Sequence, residues 1–134
     1  MNERDIIETL QKALMAAMFE SVMPDLPVKY FGRNWEIPND QKWIEPLVIP
    51  GETVETWGAE KTYRGLFRLI LHWPKDDAGV YEPLAILGSV AGYFTKDRPL
   101  QNLRIYETAT LAGMIDGGAE ALYPANMRYH SFGS

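Results

Sequence analysis

Two histidines, a pair of adjacent acids and a strand with two arginines are the residues here whose types could do chemistry. His72 and His130 are the only imidazoles. Neither has carboxylates beside it at zinc-ligand spacing, so a metal site would need long-range convergence. Each reads as a structural or surface histidine. Asp76-Asp77 could form an acid pair, but it follows Pro74 in the run PKDDAG, where Asp favours the local hydrogen bonds of a turn. Arg64 and Arg68 lie in TYRGLFRLILHW, and a period of two puts both on one strand face. Lys61 adds to that basic segment, whereas Glu45, Glu52, Glu55 and Glu60 make the segment before it acidic. Such an asymmetry either steers subunit pairing or is a solvated surface. The chain has no Walker-type loop, no GxGxxG and no GxSxG. With no cysteine it has no disulfide, thiolate metal site or cysteine nucleophile. The expectation is a protein with no catalytic, cofactor-binding or metal-binding residue, and no enzyme.

The elements that must position these residues belong to an ordinary globular chain. Its 134 residues suit one domain over 1–134, and 46% hydrophobic with 23% charged content is enough for a core. A net charge of −5 argues against general affinity for DNA or anionic membranes and against nucleic-acid sequence recognition. The amino terminus carries acids ahead of its apolar part and reads poorly as a signal peptide. No apolar run approaches the ~20 residues that span a bilayer.

Ile6, Ile7, Leu10, Ala13, Leu14, Ala17 and Met18 recur at helical spacing, predicting a helix over Asp5–Phe19 with Asn2 as N-cap. Pro24 and Pro27 end it, and Val28–Phe31 reads as a short strand. Gly32–Lys42 is a loop whose Trp35 and Ile37 either fold over the core edge or meet a neighbouring subunit. Trp43–Ile49 is β-rich, but Pro46 confines it to an edge or a bulge. The link Gly51–Lys61 is polar apart from Val54 and Trp57, and its length predicts a tip that projects from the body or is mobile. In the strand that follows, Tyr63, Gly65, Phe67, Leu69, Leu71 and Trp73 share the face that should meet helices. Arg64, Leu66, Arg68, Ile70 and His72 share a face that is partly covered, or covered by another subunit. A second helix should begin near Tyr81 or Glu82, with Val80, Leu84, Leu87, Ala91 and Phe94 as its stripe. Close approach to the sheet or another helix would explain Gly88 and Gly92. Leu103–Leu111 and Tyr123–Phe132, the latter interrupted by Pro124, read as strands joined across the Asp116-Gly117-Gly118 turn. The fold class is therefore α+β, a mainly antiparallel twisted sheet with two helices packed on one face.

The order of PDLPVKYFG, KWIEPLVIPGE, YRGLFRLILHWP, KDDAG, the Leu84–Phe94 helix and YPANMRYHSF resembles the bacteriophage tail terminator family. This family is also called minor tail protein U-like and includes phage-related domains of unknown function. Pro46 and the loop of Trp35 and Glu36 stand outside its pattern. The resemblance implies a phage or prophage structural protein, assembled in the host bacterial cytoplasm and carried in the virion tail. It implies a homo-oligomer, a hexameric ring, that caps the tail tube protein, stops its polymerisation and offers a surface to a head-completion protein. Open tube ends otherwise keep adding subunits. Trp35, Val54, Trp57, Lys61, Arg64 and Arg68 are the candidate subunit or tube contacts. An alternative is a small-ligand binding or enzymatic NTF2-like α+β domain, with four Trp and seven Tyr available to line a pocket. A further alternative is a subunit of another contractile or secretion apparatus.

Overall fold

Alternation in the central strand dictates the architecture, because one of its faces is apolar enough to require a helical cover. A computed structural model of the chain describes residues 3–30, 32, 34–55, 61–75, 81–94, 99–100, 103–105, 110–111, 115–116, 118 and 120–131. For 52–55, 61, 62, 99 and 116 only the backbone is described. The elements are α1 (Glu3–Phe19), β1 (Trp43–Glu55), β2 (Lys61–Pro74), α2 (Tyr81–Gly92), β3 (Pro99–Leu100), β4 (Leu103–Ile105), β5 (Thr110–Leu111), β6 (Ile115–Asp116) and β7 (Glu120–Ser131). The sheet runs β1-β2-β7-β4-β3, with β5 and β6 also paired to β7, and every ladder is antiparallel. Both helices contribute to one core with the odd-numbered face of β2 and β7, so the α+β expectation with helices on one face is borne out.

The register explains that core. Phe67, Leu69 and Leu71 lie opposite Met127, Ala125 and Tyr123, and all six are buried. Phe94 meets Phe67 edge-on at 5.3 Å, a geometry worth about 0.5–1.5 kcal/mol beyond its area. From α1 come Ile6, Leu10, Leu14 and Met18, as helical spacing predicts, but Thr9 is buried on that stripe and Ile7 only half-buried. In α2 the buried set is Pro83, Ile86, Leu87, Val90 and Ala91, with Leu84 half-buried. The stripe is thus rotated toward Ile86 and Val90, because α2 packs against both β2 and β7. Close approach does not explain Gly88 and Gly92: a Cβ on either would meet nothing within 4 Å.

Proline positions show how the sheet tolerates missing donors. Pro46 lies in β1, the edge strand, as expected. Beyond β1, among the described residues, there is a parallel bridge between Val28 and Ile44, within the short strand expected over Val28–Phe31. Pro124 does not interrupt β7, which continues through it opposite Ile70. On the other side of β7, β5 pairs with Ala125 and Asn126 while β6 pairs with Ala121 and Leu122. Pro124 lies between the described steps of these two ladders.

Three connections differ from expectation. The Gly51–Lys61 link is mostly strand, since pairing continues from a register shift between Pro50 and Thr53 out to Glu55 opposite Lys61. Gly51 permits that shift, because a Cβ there would lie 2.9 Å from the Arg64 carbonyl oxygen. The polar stretch after α2 contains β3, paired with β4. The Leu103–Leu111 strand is described only as β4 and β5, two separate pieces on β7. Positive φ at Gly118 supports the expected turn between β6 and β7. Asn2 and Asp76-Asp77 lie outside the described residues.

Candidate assembly surface

The even-numbered face of β2, turned away from both helices, carries the chemistry. Its rows follow from register. Arg64 lies opposite His130, which lies opposite Arg104 on β4. The next row is Ile49, Leu66 and Arg128, and the one after it Leu47, Arg68, Asn126 and Thr110. Four arginines from three strands therefore share one sheet face in a chain of net charge −5. The Arg68 guanidinium Nε donates to Asn126 Oδ1 at 2.7 Å, which fixes the half-buried side chain across the β2–β7 seam. Ile49, Pro50, Arg64, Leu66 and Arg128 line a groove of about 400 Å³ at the β1 side of this face.

The other end of the same face is closed by a clasp. His72 Nε2 lies 3.2 Å from Glu45 Oε1 on β1, and its Nδ1 lies 3.2 Å from Glu120 Oε2 on β7. Its ring stacks on Trp43 at 3.7 Å and 4°. Lys29 Nζ approaches the other oxygen of Glu45 at 3.7 Å. His72 thus ties three strands together, and the two carboxylates approach it from opposite sides, so they do not converge on one ion. Among the described residues no group of three or more His, Cys, Asp or Glu could hold a metal. His72 is buried within this clasp, and Glu45, expected to contribute to an acidic pairing surface, is used within the chain.

The structure places the sequence-derived contact residues unevenly. Trp35 is half-buried, its ring 5.0 Å from Trp43, so this loop folds back over the clasp. Its indole Nε1 is buried without a hydrogen-bond partner among the described residues. Val54 pairs with Thr62, and Lys61 with Glu55, in an arm of the β1–β2 hairpin. Among the described residues that arm runs beyond the β2–β7 ladder, whose last described step at this end is Arg64 opposite His130. The side chains of Val54 and Lys61 are not described, and Trp57 lies outside the described residues. Arg64 is exposed on the groove, and Arg68 is two rows away. Arg104 and Arg128 were missed by sequence reasoning. The alternation of YPANMRYHS carried the signal for Arg128, but not which strand it would join.

The comparisons agree with this architecture. A solved structure superposes with a TM-score of 0.78 over 98% of this chain and 96% of its own, at 19% identity, which is a likeness of fold. A search of curated proteins gives no match. The family model described as phage tail terminator protein matches residues 5–129, a span running from α1 to β7 and including the arginine-bearing face. The chain belongs to the phage tail terminator family and is a structural component of a phage tail.

Proposed function

We propose that this protein, acting as one domain over residues 1–134, caps the head-proximal end of the tail tube as a ring. The ring stops addition of tube subunits and presents its outer side to a head-completion protein. Assembly takes place in the host bacterial cytoplasm, from a phage or prophage gene. The observation that carries this reading is the family match over residues 5–129, joined to a sheet face that neither α1 nor α2 covers. An end-cap needs one surface for its own copies and another for the tube, so that growth stops where the second surface is not repeated. The β1–β2 hairpin segment of Val54 and Lys61, with Trp57 between them in sequence, suits the tube contact, and Trp35, Arg64 and Arg68 belong to the copy contact.

The ligand-binding alternative needs space between sheet and helices. Phe67, Phe94 and Trp73 fill that space, which speaks against it. Light scattering after size exclusion, followed by electron microscopy with purified tube protein, tests the proposal. Rings that bind tube ends and halt further addition of tube protein are expected. Monomers at every concentration, with tubes growing unchanged, would overturn it.

A further inference from the structure

The helix layer carries an exposed apolar patch that helix packing does not use. Phe19, Val22 and Tyr81 are 82%, 68% and 86% exposed. They lie at the end of α1, in the turn after it and at the start of α2. Ser89 holds the turn in place by accepting the Val22 N–H at 3.4 Å and donating to the Ile86 carbonyl at 2.8 Å. Val22, Met23, Glu82, Ala85 and Ile86 line a groove of about 250 Å³ there. Glu20, Asp25 and Glu82 are exposed there, and neither residues 13–28 nor residues 81–92 contain a Lys or Arg. Exposed apolar side chains gathered inside a charged rim mark protein contacts.

The open sheet face is its complement. Ile49 and Leu66 form an apolar floor between Arg64 and Arg128, with Arg68 and Arg104 in the adjoining rows. We propose that the acid-rimmed helix patch of one copy docks on the arginine-bordered sheet face of the next copy. This rests on the ring reading above and adds which two surfaces close the ring. The surfaces lie on opposite sides of the sheet, so the pairing is head-to-tail, and each copy added leaves one of each kind for its neighbour until the ring closes. A second copy offers apolar and acidic side chains to the one surface and apolar and basic side chains to the other. A nucleic acid would meet the arginines, but it has nothing to fill the Ile49–Leu66 floor and would be repelled by the helix patch.

Charge reversal tests the pairing with the full chain. One variant carries Arg64→Glu and Arg128→Glu, and the other Glu20→Lys and Asp25→Lys. All four side chains are exposed, and circular dichroism verifies that each variant folds. By sedimentation velocity, each variant alone should weaken self-association by at least about tenfold. An equimolar mixture should recover it, because every contact in an alternating ring then joins opposite charges. Wild-type-like association of either variant alone would overturn the inference, as would loss that mixing does not rescue. Reversal that abolishes tube-protein binding while rings persist would assign the face to the tube instead, and so also overturns it. In each of those cases the wild type still forms rings and the proposed function stands. A wild type that stays monomeric with tube protein present overturns both.

Discussion

The Tyr129 side chain crosses β2 at Gly65, where any Cβ would strike its phenol group and lie 2.7 Å from the Ile49 carbonyl oxygen. The glycine therefore makes room for an aromatic ring on the core side of the sheet. Burial, and secondarily the Glu3 carboxylate, push the Tyr129 phenol above its ordinary value of 10.0. The unfolded chain then ionises first, so this contribution to stability is complete below about pH 10 and is lost as pH rises through the raised folded value. Urea midpoints between about pH 9 and 11.5 should fall less steeply for Tyr129→Phe than for the wild type. Equal slopes would show that Tyr129 is not the group responsible. His72 acts at the same scale. Its removal in His72→Ala leaves two half-buried carboxylates without the imidazole and Trp43 without its stacking partner, at a cost of about 2–3 kcal/mol in urea unfolding. A loss within about 0.5 kcal/mol would mean the clasp is a surface ornament.

Among elements, α2 shows how far local pattern reaches. Its start at Tyr81 and its general burial follow from spacing and from Pro83 in the first turn. Which of its apolar residues point inward depended on being shared between β2 and β7, and so Ile86 and Val90 displaced Leu84. Gly88 has open space where a Cβ would be, so Gly88→Ala should stabilise the isolated chain by about 0.5–1 kcal/mol through helix propensity alone. Thermal unfolding of dilute protein reads this directly, and destabilisation would reveal a contact within the chain. The prolines teach the same lesson from the other side. Pro46 could be assigned to an edge from its chemistry alone. Pro124 could not be placed mid-strand, since the pairing of β7 with β2 through that position is a property of the assembled sheet.

For the whole molecule, the decisive feature is a polarity between two layers: an acidic, apolar helix side and an arginine-bearing sheet side. Contacts made through such charges weaken as ions screen them. Raising ionic strength from about 0.05 M to about 0.5 M should weaken self-association roughly tenfold, leaving a residual apolar component. Sedimentation at the two salt concentrations checks this, and salt-independent association would place the contact elsewhere. The sequence by itself determined which faces are apolar, where the helices run, that Pro46 marks an edge and that Arg64 and Arg68 share an outward face. Those are consequences of periods two and 3.6, which each segment carries within itself. The tertiary structure alone decided that Arg104 and Arg128 join them, that Glu45 and Glu120 close on His72, and that Phe19 and Tyr81 are left uncovered on the helix side. Those facts depend on register between strands and on packing between helices far apart in the chain, and no local period encodes either.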